Sequence, residues 1–239
     1  MKLMFIGTRG EIDARTRRHR MHTSLLVSYR TANVMIDCGL DWLGKLKRLS
    51  PKVIVLTHAH PDHAWGLKQG APCPVYATEK TWQELSHYPI NDRHVIKERT
   101  QTKIGWITFE AFPVEHSVRS PAVGYRVSTG RARIFYAPDL IFIHERSAAL
   151  KDVQLYIGDG ATVTQSFIRK RGKALIGHSP VRTQLTWCQK EGVPRAIISH
   201  CGSEIVTGDE GKISAKIRAM AAERGIEVRI AYDGMKLTL

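Results

Sequence analysis

The chain is poor in cysteine. Cys38, Cys73, Cys188 and Cys201 are its only four, with no Cys-x-x-Cys among them. That excludes a zinc ribbon and a dense disulfide framework, and makes a reducing cytoplasm the expected location. Long apolar runs are missing too. No stretch approaches the ~20 residues of a membrane span, and the apolar start breaks at Gly7 and Arg9, too early for a signal-peptide core. A soluble protein with no membrane partner is expected. Low-complexity linkers, internal repeats and heptads are absent, so residues 1–239 read as one domain. Acidic residues are scarce: 22 Asp+Glu stand against 36 Lys+Arg, a formal net charge of +14. Such an excess favours an anionic partner, a nucleic acid or a phosphate ester, with solubility charge as the plain alternative. Apolar content of 43% and charged content of 24% fit a globular chain and exclude a disordered one.

What is present is a series of short apolar runs. Lys2–Ile6, Ser24–Tyr29, Asn33–Ile36, Val53–Leu56, Val75–Ala77, Ile104–Phe109, Val123–Val127, Arg131–Tyr136, Gln154–Ile157 and Ala196–Ile198 read as strands. Ser128-Thr129-Gly130 reads as a hairpin turn. Glu227–Ala231 and Met235–Leu239, joined at Asp233-Gly234, read as a terminal hairpin. Helical patterns cover Leu40–Leu49, Glu79–Ser86, His144–Leu150, Val181–Glu191 and Lys212–Arg224. The mixture predicts a layered α/β architecture with mixed sheets.

Chemistry concentrates in Thr57-His58-Ala59-His60-Pro61-Asp62-His63, directly after the apolar run Val53–Leu56. Imidazoles suit zinc and similar metals, and a carboxylate adds a hard, charged ligand. His58 and His60 can reach one ion while Asp62 and His63 turn toward another. His116, Asp139 and His200 each follow a further apolar run. Jointly they form a set of five His and two Asp in one repeated context, the strand-end loops where functional residues gather. Asp37, in Ile36-Asp37-Cys38-Gly39, is expected to brace the metal loop. Cys201, beside His200, points away from it on an extended segment and is expected to pack.

His-x-His-x-Asp-His followed by isolated His, Asp and His resembles the metallo-β-lactamase superfamily, over nearly the whole chain from Gly7-Thr8-Arg9-Gly10 to Tyr232-Asp233-Gly234-Met235. The resemblance implies a four-layer αββα sandwich with two mixed β-sheets and metals in a cleft at one edge. It implies that His58, His60 and His116 hold one ion, that Asp62, His63 and His200 hold a second, and that Asp139 bridges them. The β-lactamases usually carry Cys or Ser at the bridging place, so antibiotic hydrolysis is not implied. His178 in Ile176-Gly177-His178-Ser179, Asp159 in Gly158-Asp159-Gly160 and the N-terminal Gly7-Thr8-x-Gly10 are similar to the tRNA 3′-processing endonucleases and to the cyclic phosphodiesterase of phosphonate breakdown. The chain lacks the long arm of the former and the Cys-rich extra metal site of the latter. Those relatives also imply a homodimer.

The expected function is a dinuclear metal-dependent phosphodiesterase acting on RNA, DNA or a small diester. Two ions about 3.5–4 Å apart share a water and lower its pKa toward ~7, giving a bridging hydroxide nucleophile. Zinc is the default ion, with manganese or iron as alternatives. Asp62 orients the nucleophile, and His178, aligned by Asp159, serves the leaving oxygen. Arg17, Arg18, Arg20 and His22, in a dense basic stretch with Arg15, are candidate phosphate contacts. Arg119 and Arg182 are weaker candidates for the cleft wall. Two other functions stay open: hydrolysis of an acyl substrate such as a lactone or thioester on the same metals, and a non-catalytic nucleic-acid-binding module with a structural metal.

Overall fold

Two β-sheets stacked face to face carry the site on one edge. The computed structural model describes residues 1–172 and 174–239. The first sheet runs in the order 236–238, 2–7, 24–29, 32–36, 53–55, 75–77, 93–95. The second runs 142–143, 107–115, 122–129, 132–136, 155–159, 195–199, 227–230, with 101–104 added against 107–115. Each mixes antiparallel hairpins with parallel crossovers. Leu25, Val27, Ile36, Phe109, Val127 and Ile157 fill the space between the sheets.

The outward sheet faces are apolar as well, so helices cover both. Trp42, Leu46, Leu67 and Trp82 pack with Met35 and Ile54 on one side. Leu150, Leu185 and Ile217 pack with Phe135, Tyr156 and Ile198 on the other. Side chains alternate along each strand, so a strand with both faces buried must be apolar throughout. The helices Glu79–Glu84 and Glu210–Ala222 start on capping side chains, Thr78 and Asp209, which accept from Thr81 N and Lys212 N. The layers are the αββα sandwich that the resemblance implied.

Three local expectations differ from the structure. Glu227–Ile230 and Lys236–Thr238 do not pair with each other. The first lies parallel to Arg195–Ser199 and the second antiparallel to Lys2–Met4, so the Asp233-Gly234 turn carries the chain from one sheet to the other. Asp233 pins that turn by accepting from Thr8 Oγ1, Arg20 N and Met21 N. Ile104–Phe109 is split by a turn at Gly105, φ +58°, into two antiparallel strands. Leu40–Leu49 breaks at Gly44, φ +74°, into two short turns of helix. A fourth feature had no sequence signal: Phe167–Arg171 and Ala174–His178 form a separate antiparallel hairpin.

Candidate metal centre

The seven predicted ligands all arrive from strand ends along one edge of the sandwich. Val53–Val55 delivers His58 and His60, and Pro61 opens the short helix Pro61–Ala64 that turns Asp62 and His63 inward. His116 follows 107–115, Asp139 follows 132–136, and His200 follows 195–199 with φ +51°. One ligand atom each from His58, His60, His116 and Asp139 falls within 4.8 Å of the others, and the same holds for Asp62, His63, Asp139 and His200. Asp139 belongs to both groups. It also joins a third with Asp159, His178 and His200.

The donor set fits metal cations. Nε2 of His58 and Nε2 of His63 are buried without a hydrogen-bond partner. Asp139 Oδ1 lies 2.9 Å from Nδ1 of both His116 and His178, yet makes no hydrogen bond of normal angle. Such stranded atoms cost about 1–3 kcal/mol each unless a partner reaches them. Burial and the neighbouring imidazoles hold His58 well below the usual histidine range, and His60 at about 4. Both are therefore neutral, as ligation requires. Burial opposes ionisation of Asp62, but His63 and His200 outweigh it and keep the carboxyl well below its ordinary range. Burial alone would depress His63; Asp62 and Asp37 override it and raise the ring to about 10.

A shell of hydrogen bonds orients these groups. Asp37, itself at φ +64°, accepts from His63 Nδ1 (2.9 Å), from Thr57 N (2.8 Å) and from Thr57 Oγ1. That leaves His63 Nε2 facing Asp62 Oδ2 at 3.2 Å. Thr57 Oγ1 is 3.0 Å from His58 Nδ1. Asp159 Oδ2 accepts from His178 Nδ1 at 2.8 Å, so Nε2 is the nitrogen of His178 left for the cleft. Against the burial effect, Asp159 and Asp139 raise His178 to about 11.

Two buried polar residues near the centre went unread in the sequence. Gln184 is buried and donates to the carbonyls of Asp159 and Ser179, while its Oε1 accepts from Asp159 N. Its signal was a lone amide between Val181 and Leu185 on an apolar helix face. Arg9 is buried, bonds Asp41 Oδ2 at 2.5 Å and donates to the carbonyls of Gly10 and Ile12. Its signal was a lone arginine set between Gly7 and Gly10.

The centre opens into a cleft of about 580 Å³, lined by His60, Asp62, His116, Asp139, His178 and His200, with Ile12, Phe167, Ile176, Glu11 and Glu204 as walls. Among the described residues no Lys or Arg lines it. The basic stretch lies elsewhere. Arg17 and Arg18 line a separate hollow with Ile205 and Ile213, and Arg18 pairs with Glu210 and stacks on Tyr232. Arg20 faces another hollow beside Trp42. His22 is buried, takes a hydrogen bond from Asp41 N, and is held neutral at about 4 by burial and Arg9. The structure thus brings none of Arg17, Arg18, Arg20 and His22 to the cleft: Glu210 engages Arg18, burial and Asp41 hold His22, and Arg17 and Arg20 face other hollows. Arg119 and Arg182 are exposed and outside the lining. No described helix is long and apolar enough to cross a membrane.

A histidine-and-aspartate centre on the edge of an αββα sandwich defines a metal-dependent hydrolase fold. Residues 32–201 match the family described as "Beta-lactamase superfamily domain", and the chain belongs to that superfamily. It is 27% identical over 151 residues to Exodeoxyribonuclease YycJ of Bacillus anthracis, covering 53% of this chain and 57% of that protein. It is 28% identical over 146 residues to Ribonuclease Z of Methanopyrus kandleri, covering 53% and 50%. The chain therefore matches only about half the length of these curated relatives. A crystal structure of a diphosphatase from the PhnP family superposes with a TM-score of 0.73 at 18% identity, covering 100% of this chain and 97% of that one.

Proposed function

We propose that this chain is a phosphodiesterase using two divalent ions, zinc by default. The observation that carries the reading is Asp139, whose carboxylate is shared by all three convergent His/Asp groups. The nuclease names of both curated relatives point the same way. His58, His60 and His116 would hold one ion, Asp62, His63 and His200 the other, and Asp139 both. When bound, the ions supply Lewis acidity toward the phosphate oxygens and a water nucleophile. Asp62 would accept the proton that the attacking water loses as the water's oxygen bonds to phosphorus. The P–O bond to the leaving group breaks, and His178 Nε2 gives that oxygen a proton while Asp159 holds the ring by Nδ1.

The test is metal-replete protein against bis(p-nitrophenyl) phosphate, labelled RNA and labelled DNA. Hydrolysis that His60→Ala lowers at least 100-fold is the expected result; no hydrolysis of any of the three overturns the proposal. His178→Ala should slow RNA or DNA cleavage more than it slows the p-nitrophenyl ester, whose leaving group needs no proton. A second reading, hydrolysis of a neutral acyl ester, is favoured by the apolar, cation-free cleft wall of Ile12, Phe167 and Ile176. Faster turnover of acyl esters than of diesters would establish it instead.

A further inference from the structure

The hairpin Phe167–His178 stands apart from both sheets and ends at the cleft. Its register pairs Phe167 with His178 and Arg169 with Ile176. Directly opposed residues of an antiparallel pair share a face, and residues two apart on a strand share it too. Phe167, Ile176 and His178 all line the cleft, so the face they share is the cleft face. Arg169 belongs to that face, two residues farther out. Phe167 is 52% exposed, and Arg169 is exposed as well. Among the described residues, no ion pair engages Arg169, unlike Arg15 and Arg18 of the N-terminal loop.

The base of the hairpin is tied to the centre. Gly177 N donates to the His116 carbonyl at 3.1 Å, and Ser179 N donates to the Leu140 carbonyl at 2.8 Å. Gly177 has φ +129°, and a Cβ there would fall 1.8 Å from the Phe167 carbonyl oxygen. Glycine thus lets the two strands close at this point, holding Phe167 beside His178. Along the face, His178 and the exposed Phe167 ring stand side by side, and the guanidinium of Arg169, without an ion pair among the described residues, lies two residues farther out.

We infer that this face is a binding site for single-stranded nucleic acid, with a base stacked on Phe167 and a phosphate farther along the strand held by Arg169. The site deepens the phosphodiesterase reading and rests on it for the reaction, though not for the binding. Every base has a face for an aromatic ring, so stacking is indifferent to sequence. Arginine matches phosphate bidentately. Two residues of strand span roughly 7 Å, the rise of about two stacked nucleotides at ~3.4 Å each. A ligand that reaches both the centre and Arg169 is therefore about three to four nucleotides long. This also assigns the phosphate contacts that the cleft wall lacks. They sit outside it, on the next phosphates rather than on the reacting one.

The test has a binding arm and a kinetic arm. In the first, fluorescence anisotropy follows labelled single-stranded oligothymidylates of two, four and eight nucleotides. Affinity should rise at least tenfold from two to four and then flatten. Phe167→Ala should weaken the octamer about tenfold. Arg169→Ser should make the slope of log affinity against log salt shallower by about 0.7, the share of one phosphate on a single strand. Length-independent binding, an unchanged salt slope, or equal preference for blunt duplex overturns the inference. In the second arm, Arg169→Ser should raise KM for the octamer about tenfold and leave bis(p-nitrophenyl) phosphate turnover within twofold. Equal losses on both substrates also overturn it. If no diester is cleaved, the phosphodiesterase reading fails, and the anisotropy arm still decides the binding site.

Discussion

Asp37→Asn changes one atom of the metal loop and has a result that can be worked out in advance. The wild-type carboxylate only accepts: one oxygen takes the N–H and hydroxyl of Thr57, and the other takes His63 Nδ1 at 2.9 Å. Asparagine keeps one acceptor oxygen. Facing Thr57, which offers two donors, that oxygen is retained there, and the amide NH2 is turned to His63. An NH2 cannot accept, so His63 must take the other tautomer, with Nδ1 as acceptor and the proton on Nε2. Nε2 is the nitrogen set 3.2 Å from Asp62 Oδ2 and 3.6 Å from Asp139 Oδ2. A protonated nitrogen cannot ligate a cation. The group Asp62, His63, Asp139, His200 is damaged, while His58 keeps its contact to Thr57.

Loss of such an outer partner typically lowers metal affinity 10- to 100-fold, which is about 1.4–2.7 kcal/mol. The metal-free fold should lose about 1–2 kcal/mol with its charge-assisted hydrogen bond. The assay is metal stoichiometry by elemental analysis after dialysis against graded chelator, with near-ultraviolet circular dichroism to verify the fold. One ion should remain at wild-type affinity and the second should leave at 10- to 100-fold lower chelator strength. Retention of both ions at wild-type affinity, or parallel loss of both, would refute the tautomer argument.

Two further outcomes follow from close packing and from buried histidine. A Cβ at Gly39 would fall 2.0 Å from the Asp62 carbonyl oxygen, a backbone atom that cannot turn aside. Gly39→Ala should therefore lower the unfolding free energy of the metal-free protein, read from urea titration, by roughly 1–3 kcal/mol and abolish binding of the second ion; unchanged stability would show that the loop yields freely. Burial, with Arg18 adding to it, depresses His19 to about 4 from 6.5. The unfolded chain then binds the extra proton between these values, so stability is full above pH 6.5 and falls as pH drops toward 4. From pH 7 to pH 5 the loss is about 2 kcal/mol, and urea unfolding of His19→Asn across that range should show a correspondingly smaller decline.

The convergence of the His and Asp side chains was readable in the sequence because it needs little tertiary information. His58, His60, Asp62 and His63 are neighbours in the chain, and His116, Asp139 and His200 each end an apolar run. Asp37, expected to brace the loop, bonds His63 directly. Pairing between distant strands was less readable. Glu227–Ile230 and Lys236–Thr238 look like a hairpin because a turn joins them, but their apolar faces belong to different sheets, as Val228 and Leu237 show. Phe167–His178 gave no strand signal, since a two-stranded ribbon standing off the body has no core to impose alternation. Its run Arg169-Lys170-Arg171 reads as a solvated loop until the register puts Arg169 on the face of Phe167.

The net charge of +14 takes a different meaning from this arrangement. The arginines of the densest basic stretch are exposed but lie off the cleft: Arg15 meets Asp41, Arg18 meets Glu210, and Arg17, Arg20 and the buried His22 line no part of it. No described Lys or Arg lines the cleft, where the carboxylates Asp62, Asp139, Glu11 and Glu204 face the imidazoles of His178 and His200. An anionic substrate therefore finds no guanidinium or ammonium among the described residues of the cleft, and ions bound at the centre would supply the local attraction. The surface excess acts at longer range, and salt screens it beyond about 8 Å at physiological strength. Capture of a polymer should then weaken steeply with salt, while hydrolysis of a small diester at the loaded centre should barely respond.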